Sequence, residues 1–119
     1  VTPRSPNPPA ARELDHPAPG EIRLEGVLHA LSDPVRLQIV RTMAATEEEL
    51  ACSVFEVPVS KSTTTHHFRV LRESGVIRQC YRGTAKVSAL RRGDLDLLFP
   101  GLLESVLTAA ARQADRTGG

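Results

Sequence analysis

Apolar and polar positions follow two distinct rhythms along the chain. Ile22, Leu24, Val27, Leu28 and Leu31 recur at spacings of one to three, the stripe expected of a first helix. Ser32-Asp33-Pro34 interrupts it. Asp33 suits a helix N-cap, and Pro34 suits the first helical position, where a missing N–H costs nothing. Val35, Leu37, Ile39, Val40 and Met43 then predict a second helix. Thr46-x-x-Glu49 has the capping-box pattern and predicts a short third helix through Leu50, Val54 and Phe55, ending near Pro58. Ser60 can cap a fourth helix running from about 61 to 73, with Gly75 at its C-terminal stop. Thr64, Phe68 and Leu71 give that helix one narrow stripe for burial.

The rhythm then changes. Residues 76–81 and 84–90 are rich in Val, Ile, Thr and Tyr and are separated by Arg82-Gly83, which predicts a β-hairpin with Gly83 in its turn. Residues 94–99 read as a short turn of helix. A last helix begins at Pro100 or Gly101 and carries Leu102, Leu103, Val106, Leu107, Ala110 and Ala114. Its apolar arc is too broad for a helix covering only its own small core. Residues 1–20 hold six of the nine prolines, which deny the backbone both helix and ladder hydrogen bonds and predict a disordered or extended arm. The expected organisation is therefore an arm (1–20), one domain (21–115) and a frayed tail (116–119). The expected fold is mainly α with a β-hairpin wing, a winged helix-turn-helix of order α-α-α-α-β-β-α.

Composition narrows the function classes. The chain has 119 residues, 40% hydrophobic but only 3% aromatic, so the core is aliphatic and stacking platforms for single strands are not expected. No apolar run is long enough for a membrane span, and the N-terminus has no apolar signal region, so no membrane partner and a cytoplasmic location are expected. Cys52 and Cys80 lie far apart without a C-x-x-C pattern. They read as small buried hydrophobes in a reducing compartment. Phosphate-loop, dinucleotide, zinc-protease and nucleophile-elbow motifs are missing, so an enzyme is not expected.

Charge is the informative property. The net charge of +1 conceals a block, 58–92, with Lys61, Arg69, Arg72, Arg78, Arg82, Lys86, Arg91 and Arg92 against Glu73 alone. The segments on either side are acidic. A concentrated basic block on a folded element is the electrostatic footprint of a polyanion binder. A helix fits the major groove of duplex DNA, where each base pair offers a distinct donor and acceptor pattern. Lys61, Ser62, Thr63, Thr65, His66, Arg69 and Arg72 lie largely off the apolar stripe and are the candidate DNA-contacting residues of the fourth helix. Arg78, Arg82 and Lys86 are their counterparts on the wing, placed to neutralise backbone phosphate. His67 is expected to make a structural hydrogen bond beneath the helix. The run Glu47–Glu49 reads as a solvated first helical turn that favours the helix dipole.

Two stretches carry a family resemblance. Ala30-Leu31-Ser32-Asp33-Pro34-Val35-Arg36-Leu37-Gln38-Ile39-Val40 resembles the ALSDPxRLxIL stretch of ArsR/SmtB regulators. Val59-Ser60-Lys61-Ser62-Thr63-Thr64-Thr65-His66-His67-Phe68-Arg69-Val70-Leu71-Arg72-Glu73-Ser74-Gly75-Val76-Ile77 resembles their recognition helix, SxSTxSHHLxxLRxxGLV. The resemblance spans about 22–110 and implies a bacterial winged-helix homodimer that represses promoters and becomes nucleoid-associated on double-stranded operator DNA. It implies a dimer interface on the first and last helices, which here means Leu24, Val27, Leu28, Leu102, Leu103, Val106, Leu107 and Ala110.

The resemblance fails at the sensing sites. Where many metal-sensing members read ELCVCDL, this chain reads Glu49-Leu50-Ala51-Cys52-Ser53-Val54-Phe55, and its last helix carries no histidine. No cofactor is therefore required. Nickel remains a candidate effector through the family's nickel-linked members, with His16 and His29 as the candidate metal ligands. The competing readings are a winged-helix module for protein–protein contact and a metal-independent regulator working with a partner protein.

Overall fold

The computed structural model describes residues 12–51, 55 and 59–118. Helix α1 (Leu24–Leu31) leads into α2 (Pro34–Ala44) through Asp33. The Asp33 carboxylate accepts from the backbone N–H of Val35 (2.8 Å) and Arg36 (3.1 Å), so the cap and the N-terminal proline act together as the sequence predicts. Helix α3 (Lys61–Glu73), the fourth helix of the sequence reading, is capped by Ser60, whose hydroxyl accepts from Thr63 N–H. It ends at Gly75, in the left-handed region at φ 88°. Strands β3 (Ile77–Arg82) and β4 (Ala85–Leu90) form the hairpin, with Gly83 at φ 64° in its turn. Helix α4 (Arg92–Leu98) and the long α5 (Leu102–Thr117) complete the chain.

The wing is wider than a hairpin. β1 (Arg12–Glu13) lies along β3 and β2 (Leu50–Ala51) lies along β4, giving an antiparallel sheet of order β1-β3-β4-β2. Two sequence expectations change here. Residues 12–20, expected to be part of a disordered or extended arm, are ordered and tied down: β1 pairs with the wing, Pro19–Glu21 forms a 3-10 turn, and Pro17 O accepts from Arg91 (2.9 Å). The tertiary ladder along β3 supplies the partners that the proline-rich sequence lacks locally. The third helix expected from Thr46 does not start there. Thr46 Oγ1 caps only a local turn, accepting from Glu48 N–H (3.1 Å), and Leu50 and Ala51 instead pair with Ser88 and Val87. Of that expected helix, 52–54 lie outside the described residues, as do 56–58 and residues 1–11 of the arm.

The core is aliphatic, as composition requires. Ile22, Val27, Ala30, Leu31, Ile39, Val40, Met43, Leu71, Val76, Ile77, Leu95 and Leu103 pack around Phe68, with Phe55 edge-on to that ring at 5.2 Å. Three residues expected at a dimer interface, Val27, Leu103 and Ala110, are buried in the protomer itself, because α1 and α5 each turn one side of their apolar arc inward. Leu24 and Leu28 remain 44% and 45% exposed, and Leu102, Val106 and Leu107 are half-buried. Among the described residues, no helix is long and apolar enough to cross a membrane.

Candidate nucleic-acid interface

Helix α3 is held from beneath by a buried polar cluster. Arg36 on α2 donates through Nε to Ala30 O (2.8 Å) and through Nη2 to His29 O (3.3 Å), satisfying carbonyls at the end of α1. Its Nη1 lies 3.2 Å from His67 Nδ1. A guanidinium only donates, so Nδ1 is the acceptor and the ring proton sits on Nε2. The Asp33 carboxylate lies 4.0 Å from the same Nδ1. Burial opposes its charge, but the backbone N–H groups of Arg36 and Val35, with the Arg36 guanidinium nearby, hold its carboxyl below the usual range. Arg36 therefore joins the N-cap of α2, the end of α1 and the footing of α3. His67 has the structural role expected of it.

The opposite side of α3 faces solvent. Lys61, Ser62, Thr63, Thr65, His66 and Arg69 are all exposed there. The hydroxyls are partly committed: Ser60 Oγ lies 2.9 Å from Thr63 Oγ1 and 3.3 Å from Ser62 Oγ, and Thr65 Oγ1 donates to Lys61 O (3.0 Å). Their remaining lone pairs still accept, while Lys61 and Arg69 supply donors.

Not every expected contact residue is on this surface. Arg72 turns inward, where Nη1 donates to Gln79 Oε1 on β3 (2.7 Å) and the buried Nε has no hydrogen-bond partner among the described residues. Its place in the last turn of α3 directs it onto the hairpin rather than toward a duplex. Arg91 and Arg92 are likewise committed, to Asp94 and Pro17 O and to the α2 carbonyl of Ala44. Part of the basic block is thus structural.

The wing divides its cations by face. Arg82 is bound by Glu49, with Nη2 3.0 Å from Oε2, and Arg78 Nε lies 3.9 Å from Glu13 Oε1. The Arg82 guanidinium pulls the Glu49 carboxyl below its usual range and is itself raised by that carboxylate. Glu49 is therefore an ion-pair partner of the wing and not a solvated helical turn. Cys80 Sγ lies 3.7 Å from Glu49 Oε2, and burial, reinforced by that carboxylate, pushes its thiol up. Cys80 is buried and free, as a small hydrophobe would be, whereas Cys52 lies outside the described residues. Lys86 Nζ sits 5.9 Å over the Tyr81 ring.

The two metal candidates are placed differently. His29 is exposed near the end of α1. His16 is mostly buried, its Nε2 accepting from Gln79 N–H (2.8 Å) and its Nδ1 3.5 Å from Glu13. Among the described residues, no group of three or more His, Cys, Asp or Glu side chains is arranged to hold a metal ion.

Sequence reasoning missed Arg36, His16 and Arg12 as organising residues. Arg36 had a signal, since it follows Pro34 on a helix whose neighbouring positions are apolar. Arg12 and His16 had none, because their partners on β3 are distant in sequence.

The geometry agrees with known proteins. A helix-turn-helix domain model matches residues 31–80. YceK of Bacillus subtilis (strain 168), an uncharacterized HTH-type transcriptional regulator, is 33% identical over 82 residues, 67% of this chain and 82% of that protein. The crystal structure of the ArsR family transcriptional regulator RHA00566 superposes with a TM-score of 0.57 at 21% identity, covering 69% of this chain and 90% of that one. The chain belongs to the helix-turn-helix-type transcriptional regulators and has the winged-helix fold seen in an ArsR-family member.

Proposed function

We propose that the protein is a sequence-specific double-stranded DNA-binding repressor that acts as a homodimer on an inverted-repeat operator. The observation that carries this reading is the exposed polar face of α3, with Lys61, Ser62, Thr63, Thr65, His66 and Arg69 free of the core. In this reading α3 enters the major groove, Arg69 reads a guanine edge and the hydroxyls fix the helix on the backbone. Phe68, Leu71 and His67 anchor the helix so that this face is pre-organised.

Dimerisation would place two such helices about one turn of DNA apart. The exposed Leu24 and Leu28, one turn apart on α1, and the half-buried Leu102, Val106 and Leu107 on α5 are the surface for it. Repression then needs only occupancy of the promoter. Nickel as an effector would draw on His16 and His29, and release of DNA would need a coupling of roughly 1–3 kcal/mol between sites.

Fluorescence anisotropy on a duplex from the protein's own upstream region, beside a scrambled duplex, tests the reading. Specific binding, weakened by about 1–3 kcal/mol in Arg69→Ala, supports it. No preference for either duplex would bring forward a protein-interaction module. Calorimetry without nickel binding would remove the nickel proposal and leave a regulator with another effector or a partner protein.

A further inference from the structure

We propose that Arg12, Tyr81 and Lys86 form a backbone-phosphate clamp on the wing, with a strand far from the hairpin in sequence delivering one of its two cations. The inference rests on the DNA-binding reading and extends it to a residue outside α3 and the hairpin.

The strand register makes the case. Arg12 pairs with Tyr81, and Tyr81 pairs with Lys86, so the three form one row across β1, β3 and β4. Directly paired residues point to the same face of a sheet. The Arg12 guanidinium lies 5.2 Å from the Tyr81 ring centroid and Lys86 Nζ lies 5.9 Å from it, so one ring holds both cations. The row sits one position before the hairpin end, where Arg82 pairs with Ala85. By the two-residue alternation it shares its face with Gln79, whose side chain bonds Arg72 of α3. The clamp is therefore on the α3 side of the wing.

Charge separates the two faces. Glu13, Cys80 and Arg82 alternate onto the other face with Arg78, where Glu13 approaches Arg78 and Glu49 binds Arg82. Among the described residues, no carboxylate lies within 4.0 Å of the Arg12 or Lys86 charge. Two cations fixed on one aromatic ring, close to the tip and unneutralised, match a polyanion backbone better than a base edge, because neither is presented as an isolated fork.

The full-length chain tests this by anisotropy on the upstream and scrambled duplexes across a salt series. Arg12→Gln is expected to weaken both duplexes by the same factor and to reduce the slope of log affinity against log salt by about one. Arg12→Lys is expected to keep the wild-type slope. Wild-type affinity and slope in Arg12→Gln would overturn the clamp while leaving the regulator intact. Loss confined to the upstream duplex would also overturn it, in favour of a base contact. Equal loss of slope in Arg12→Lys would overturn it too, because the effect would then come from strand docking rather than charge. A wild-type protein that binds neither duplex would remove the regulator reading itself.

Discussion

His16 Nε2 accepts a hydrogen bond from the backbone N–H of Gln79, and the side chain of Gln79 in turn accepts from Arg72. One residue of β3 thus links the N-terminal strand to the recognition-type helix. Burial pushes the His16 pKa below the ordinary value of 6.5; Glu13 opposes this, while Arg91 and Arg72 add to it. Protonation occupies Nε2 and removes the acceptor. The neutral form is favoured in the folded state, so this contribution is complete above pH 6.5 and is lost as pH falls through the lower folded value. We expect the wild type to lose about 0.5–1.5 kcal/mol relative to His16→Gln on acidification through that window. Denaturant midpoints measured against pH check this, and parallel curves for the two proteins would show that the bond does not titrate.

Glu49 neutralises Arg82 at the end of the hairpin. Glu49→Gln should free Arg82, raise affinity for every duplex alike and steepen the salt slope by about 0.9 for one added phosphate contact. A salt titration of wild type and variant on the scrambled duplex is the direct measurement. An unaltered slope would mean that Arg82 is too far from the backbone to contribute.

Arg36 satisfies two carbonyls of α1 and one ring nitrogen of α3. Arg36→Leu keeps apolar volume but leaves Ala30 O and His67 Nδ1 without that donor, while His29 O keeps its bonds from Ser32, and should cost about 2–4 kcal/mol by chemical denaturation. Combined with His67→Ala, the losses should be less than additive, because the two side chains share one interaction.

At Gly75 two demands coincide. Its φ of 88° disfavours any side chain, and a Cβ there would lie 2.5 Å from Ile22 Cγ1. Gly75→Ala should therefore destabilise by about 2–4 kcal/mol, from the left-handed backbone and the displaced core side chain together. Thermal unfolding provides the check, and a loss below that range would mean Ile22 repacks freely.

What could be read from sequence was local. Asp33-Pro34, Ser60 and Gly83 each specify an element boundary through their own chemistry, and α2 and α3 lie where those residues put them, whereas the hairpin turn falls one residue later than expected, at Gly83-Thr84, with Arg82 in β3 opposite Ala85. Strands β1 and β2 could not be read, because two residues carry no period and their hydrogen bonds come from β3 and β4. At Thr46 the capping signal was overridden by that pairing. For the candidate interface, the exposed face of α3 was legible from helical spacing. The fates of Arg72, Arg82 and Arg12 were not, since each depends on a partner brought close only by the fold.

Covering both edges of the hairpin has a consequence for how the wing is assembled and lost. β3 and β4 are neighbours in the chain and can pair early, whereas the bond from Gln79 to His16 joins residues 63 apart. Closing so long a loop is entropically slow, so β1 should dock late in folding and detach first on local opening. While it is detached, the outer edge of β3 presents unpaired N–H and C=O groups, the usual starting point for strand exchange between molecules. Amide exchange at Tyr81 and Gln79 would then run ahead of the hairpin interior, making this seam the gauge of solution lifetime for the whole wing.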